Sequence, residues 1–296
     1  MSNESVADQA FWDLTDAMRD VFMLLDDSPE VVCPNEFLKK LEQRQPMYKQ
    51  RDPSNESLRR QQDAGECLTH LIEILTETLS TEDREPGNII RSLFGLDLLK
   101  RGEDGEEAKT VSYTYLDCLI PDDVNVLLKG LQLALCAHNS SINRLPRYLT
   151  IHLERVKLDE TGQSVKNSSE LAYPLEFDAY NLCSDEMKHE LEANRKSTST
   201  NVEDSRNRDI DKADSSKEKL TGFYDLIALI THEGQDTNSG HYIALIKQDE
   251  NKWTQFNDDT TSILKNEEVL QFPGGGDGQM AYIFLYKARV GREGSV

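Results

Sequence analysis

A histidine and an amide in the last quarter of the chain have the types and spacing to do chemistry. Tyr224–Ile230 and Tyr242–Ile246 are short apolar, β-branched runs that read as buried strands. The polar stretch Lys247-Gln248-Asp249-Glu250-Asn251-Lys252 behind the second has the composition of a hairpin loop. Facing residues of an antiparallel pair keep a constant index sum, so a loop centred on Asp249 sets His241 opposite Asn257. A histidine so placed can accept a proton while the amide holds its ring in one tautomer, as in a Cys-His-Asn triad. Asp258 and Asp259 follow at once, and a small register change would give a carboxylate the orienting place. The plainer reading is a structural or solvated strand-end histidine.

Other elements follow from periodicity. Phe11, Leu14, Met18, Val21, Phe22 and Leu25 recur at helical intervals and predict an amphipathic helix over 8–26. A second helix is expected after Pro34, with Asn35 as its cap and Gln45-Pro46 as its end. Asp63 followed by Glu66 is a capping-box arrangement, and Ala64, Leu68, Leu71, Ile72, Leu75 and Leu79 then mark one helix face, with Cys67 inside the helix. Gln61 and Asp63 read most simply as a cap and its neighbour. Ser92–Leu96 and Val111–Leu116 read as strands separated by a charged turn, and Asp122–Leu131 as a short helix with an acidic first turn and Gly130 near its end. Cys118 and Cys136 are expected to be buried thiols. Residues 194–219 are polar and serine-rich, a disordered insertion, and 291–296 are a tail. The stretch 233–239 before His241 is expected to be mobile, and Gly274–Gly276 to form a turn or allow a close backbone approach.

At 296 residues and 37% hydrophobic content the chain can bury one large core or two joined ones. Its net charge of −21 disfavours nucleic acid and suits a basic partner, while serving solubility equally well. Five cysteines without paired spacing argue for a reducing compartment, and without a CxxC pair no zinc ribbon or other metal site is expected. No segment has the form of a signal peptide or a membrane span.

Several motifs, in order, resemble those of the ubiquitin-specific protease family of cysteine deubiquitinases. Gln61-Gln62-Asp63-Ala64-Gly65-Glu66-Cys67-Leu68 resembles its glutamine-aspartate helix start, and Leu145–Arg155 its LPxxLxxxLxR strand. Thr231–Tyr242 resembles the histidine box, Trp253–Asp259 the orienting-residue box and Ala281–Tyr286 the closing strand. Gly274-Gly275-Gly276-Asp277 and the insertion resemble most the proteasome-associated branch. The resemblance implies an α+β, papain-like fold of thumb, palm and fingers, with residues 88–138 contributing the fingers, and hydrolysis of the bond after ubiquitin's C-terminal glycine. His241 would be the base and Asn257, or Asp258, its orienter. Gln61, Asp63, Gly240 and Tyr242 would bind the ubiquitin tail, and the loop before His241 would gate the channel. No cofactor is implied. Implied partners are ubiquitin, its conjugates and the proteasome regulatory particle, with no nucleic acid or membrane, in the cytoplasm and nucleus. Ubiquitin's basic binding face agrees in sign with the acidic chain.

The family's nucleophile lies in an asparagine- and glycine-containing box ending in Thr-Cys-Tyr or similar, and none of Cys33, Cys67, Cys118, Cys136 and Cys183 has such flanks. The expectation is a catalytic-type domain over 1–290 whose thumb is truncated at the N-terminus, lacking the cysteine box and its oxyanion-stabilising amide. As given, the chain would then be inactive, either as part of a longer deubiquitinase or as a ubiquitin-binding pseudoenzyme.

Overall fold

The computed structural model describes residues 3–27, 31–52, 55–79, 89–102, 107–159, 161–198, 218–234, 240–274 and 278–292. The chain divides into two compact units, Met1–Ser92 and Leu93–Val296.

The first unit is mainly helical. The amphipathic run forms α1 (Asn3–Asp27), and α2 (Asn35–Arg44) follows Pro34. Asn35 is the first helical residue rather than the cap, and Pro34 in the cap position offers no side-chain acceptor. Strands β1 (Arg51–Asp52) and β2 (Asn55–Arg59) make a small antiparallel pair. Helix α3 (Ala64–Thr78) starts at Asp63, whose carboxylate accepts from Glu66 N at 2.9 Å. Its buried residues are Gly65, Ile72, Ile74 and Thr78, so the buried face is rotated from the stripe expected from the leucines. Helix α1 packs there: Thr15 Oγ1 donates to Thr78 Oγ1 at 3.1 Å, and Thr78 Oγ1 donates to Ile74 O at 2.8 Å. Leu14, Leu41, Tyr48 and Ile74 form the core of this unit.

The second unit is built on sheets. Ser92–Phe94 belong to a short helix, α4 (Ile89–Phe94), and the strand β3 (Leu96–Lys100) begins only after Gly95. The run expected as one strand over Val111–Leu116 is two: β4 (Lys109–Tyr113), paired with β3, and β5 (Leu116–Cys118), which joins another sheet. Helix α5 (Leu127–Ala137) starts five residues later than the acidic pair Asp122-Asp123 suggested, because Val124 and Leu127 are drawn into the core and Leu127 N donates to Ala172 O. Gly130 does not end it; a Cβ there would collide with Leu119 O and Cys118 Sγ, so it permits close packing.

The remaining strands are β6 (Ser140–Arg144), β7 (Tyr148–Leu153), β8 (Val156–Leu158), β9 (Ser164–Lys166) and β10 (Glu176–Asp178). Helix α6 (Asp185–Thr198) precedes β11 (Glu218–Glu233), β12 (His241–Asp249), β13 (Lys252–Asn257) and β14 (Thr260–Leu264). The chain closes with α7 (Asn266–Val269) and β15 (Met280–Arg292). Helix α6 and β11 thus take up both ends of the expected insertion, and 199–217 lie outside the described residues, as do 235–239 and 275–277.

The main sheet runs β14-β13-β12-β11-β15-β7-β5, with β10 on β11, and β4-β3-β6 form a separate sheet. Helices and mostly antiparallel strands segregate, which is an α+β architecture. Trp253, Tyr224, Tyr286 and Phe284 are among its fully buried side chains. Among the described residues, no helix is long and apolar enough to cross a membrane.

Candidate active site

The hairpin β12–β13 carries His241 at its open end, where Glu233 of β11 lies opposite it. The ladder pairs Ala244 with Phe256 and Lys247 with Trp253, and shifts before Asp249–Lys252. The strands therefore run further and the turn, Glu250-Asn251, is tighter than the six-residue loop read from composition. Continued past Ala244–Phe256, this register sets Asn257 against Ile243, so Asn257 is the diagonal and not the direct neighbour of His241. A displacement by an even number of residues leaves both side chains on one face, and a diagonal pair is within reach of polar side chains.

The contact is made: His241 Nε2 lies 2.6 Å from Asn257 Oδ1, with both residues half-buried. An amide oxygen only accepts, so Nε2 carries a proton, and in the neutral ring Nδ1 then keeps the lone pair. The ring is thus held as the tautomer that can take a proton through Nδ1. Asp258 occupies the turn between β13 and β14 with φ 51°, a left-handed conformation that Asp tolerates, and Asn257 pairs with Thr260 across that turn. The described hydrogen bonds join His241 to Asn257 and not to Asp258.

Gly240 and Tyr242 flank His241. Tyr242 pairs with His232 across β11–β12, and their rings lie 4.7 Å apart between centroids. Tyr282 joins them 5.8 Å from Tyr242. Lys166, on β9, places its ammonium 2.7 Å from His232 Nδ1 and also donates to Gly234 O. Burial, then Arg155, lowers the Lys166 pKa from its ordinary value, against a smaller raising by Glu233. Arg155 itself is buried, with its guanidinium donating to the carbonyls of Asn167, Ser169, Pro273 and Ala281. Burial lowers its pKa to about 10, so it stays charged at neutral pH and fixes the backbone just after Lys166. Sequence reasoning singled out neither Lys166 nor His232; His232 stood inside the histidine box, whereas an isolated lysine on a three-residue strand gives no signal.

The other sequence candidates lie in the first unit. Asp63 caps α3, and Gln61 is exposed just ahead of it. A cavity of about 290 Å³ is lined there by Tyr48, Arg59, Arg60, Gln62, Asp63 and Cys67, among others. Burial raises the Cys67 thiol pKa, against a smaller lowering by the nearby Tyr48 hydroxyl. In the second unit burial pushes Cys118 and Cys183 up to about 12, the reverse of activation. Cys136 is exposed, on the outer side of the last turn of α5, and not buried as expected. Among the described residues no cluster of three or more His, Cys, Asp and Glu could hold a metal ion.

The sequence model of the family described as ubiquitin carboxyl-terminal hydrolase matches residues 1–286. The chain belongs to this family. It is 34% identical to ubiquitin carboxyl-terminal hydrolase 7 of Arabidopsis thaliana over 96% of this chain and 69% of that protein. Ubiquitin carboxyl-terminal hydrolase 6 of the same plant is 33% identical over 98% of this chain and 72% of its own length. Ubiquitin carboxyl-terminal hydrolase 14 of Caenorhabditis elegans is 30% identical over 78% and 56%. Among solved structures, the Ubp8-Sgf11-Sgf73-Sus1 SAGA DUB module superposes with a TM-score of 0.62 at 20% identity, over 94% of this chain and 58% of that one. The module bound to monoubiquitin gives a TM-score of 0.58 at 20% identity, over 86% and 53%. The chain therefore spans between half and three fifths of the length of these two structures and shares their fold, the papain-like α+β fold expected from the sequence.

Proposed function

We propose that this chain is the base-bearing, ubiquitin-recognising part of a thiol-dependent deubiquitinase that cleaves after ubiquitin's C-terminal glycine. The observation that carries the reading is the 2.6 Å bond from His241 Nε2 to Asn257 Oδ1. Through Nδ1, His241 takes the proton of an attacking thiol and returns it to the leaving amine; the acyl-enzyme is then hydrolysed. Asn257 keeps the ring in register, and the turn at Asp258 shapes the approach of Asn257. Gln61, Asp63, Gly240 and Tyr242 bind the ubiquitin tail, and residues 1–290 act as one catalytic-type domain. The GGGD run at 274–277 supports assignment to the proteasome-associated type, with the proteasome regulatory particle as partner. Five free cysteines suit the cytoplasm and nucleus.

A second reading, a ubiquitin-binding pseudoenzyme, is favoured by the raised thiol pKa values of Cys67, Cys118 and Cys183. Intact mass after mixing the chain with ubiquitin bearing a C-terminal electrophile tests whether any of its five cysteines acts as a nucleophile, beside a titration of isotope-labelled ubiquitin. Perturbed ubiquitin tail signals are expected under both. An adduct of one ubiquitin would establish a working thiol among the five cysteines, and binding without an adduct leaves ubiquitin recognition as the activity of these 296 residues. Ubiquitin signals that stay unchanged at saturating chain would refute both.

A further inference from the structure

Asn257 fixes one edge of the His241 ring, but the ring also depends on where the backbone enters β12, and that backbone is seated on a second histidine. A Cβ at Gly240 would fall inside contact distance of His232 Nε2, His232 Cε1 and Glu233 O, so only glycine fits there, and its φ of 154° is one that side-chain-bearing residues rarely adopt. His232 is itself held on its far side: Lys166 Nζ lies 2.7 Å from Nδ1. An ammonium only donates, so Nδ1 accepts and the neutral ring carries its proton on Nε2, the edge that meets Gly240. The same ammonium donates to Gly234 O, so one side chain ties down Gly234 directly and Gly240 through the imidazole. Lys166 has little freedom to leave, since Arg155 binds the carbonyls of Asn167 and Ser169 immediately behind it. Tyr242 and Tyr282 pack beside the His232 ring at 4.7 and 6.4 Å between centroids.

We infer that Lys166 and His232 are positioning residues for His241: they set the backbone of Gly240 and thereby the tautomer-fixing bond between His241 and Asn257. The inference rests on reading His241 as the base. Its readout involves no ubiquitin, so its failure can be told apart from a failure of that reading.

The test is the histidine side-chain proton–nitrogen spectrum of the full chain. The His241 Nε2–H resonance is assigned by its loss in His241→Gln. The Trp253 indole N–H, which donates to Asn266 Oδ1 at 2.8 Å, serves as an internal control for the folded hairpin. In Lys166→Met the expected result is loss of the His241 signal to exchange with water while the Trp253 signal stays in place. Lys166→Arg, which keeps a donor, restores it, and Gly240→Ala loses it again. An unchanged His241 signal in folded Lys166→Met would overturn the inference. Should that variant not fold, the unsubstituted protein still decides: a His232 ring protonated on Nδ1 contradicts the inference, and one protonated on Nε2 with Nδ1 accepting supports it.

Discussion

The second unit buries Trp253, Tyr224, Tyr286 and Phe284 completely, whereas the first closes around Leu14, Leu41, Tyr48 and Ile74. Helix α1 in the first unit leaves Phe22, Met23, Leu24 and Leu25 each more than half exposed. The hairpin with His241 and Asn257 is a continuous part of the main sheet, its far end anchored by buried Trp253. The functional candidates of the first unit sit instead at the start of one helix over a small core. The difference teaches where precision comes from. A bond of 2.6 Å between two half-buried side chains needs both backbones held rigidly, and a densely packed sheet supplies that. A helix cap needs only its own first turn.

The largest expected effect comes from breaking the stronger side. Phe284→Ala removes a fully buried ring from the main core and should cost about 3–5 kcal/mol. It is read as a drop in the urea midpoint of Trp253 fluorescence in a Trp12→Phe background. Leu14→Ala, in the smaller core, should cost about 2–5 kcal/mol by the same mechanism, read by circular dichroism of the helices. It should leave the Trp253 indole signal in place; loss of that signal would mean the two cores are not independent. Removing the cap with Asp63→Ala should cost about 1 kcal/mol, seen as a lower melting temperature, with Asp63→Asn nearly neutral.

The cysteines sharpen the comparison with smaller effects. Exposed Cys33 and Cys136 should alkylate first, half-buried Cys67 more slowly, and buried Cys118 and Cys183 only on unfolding, as followed by mass spectrometry. Folding raises the Cys118 and Cys183 pKa from 9.0 to about 12, so the native state binds these protons more tightly. Their contribution is full below pH 9.0 and is lost as pH rises towards about 12, so urea stability should fall over that window. Replacing both by Ala should flatten the decline.

The His241–Asn257 pair was legible in the sequence although the turn was misplaced, because an even displacement keeps residues on the same face of a sheet. The cap at Asp63 was legible because it is local. Helix α5 was misread because Asp122-Asp123 imitates an acidic first turn and Gly130 a helix stop; burial of Val124 and close packing at Gly130 overrode both. The run Val111–Leu116 was misread because its residues change sheets partway, which no periodicity reports. Lys166 and His232 were beyond reach for the same reason, since their contact joins residues 66 apart in sequence.

The most direct test of the central claim is the nitrogen spectrum of the His241 imidazole in the full chain and in Asn257→Ala. A ring protonated on Nε2, with a slowly exchanging proton that disappears in Asn257→Ala while the Trp253 signal persists, is the predicted result. A ring protonated on Nδ1, or an Nε2 proton indifferent to Asn257→Ala, would contradict the account.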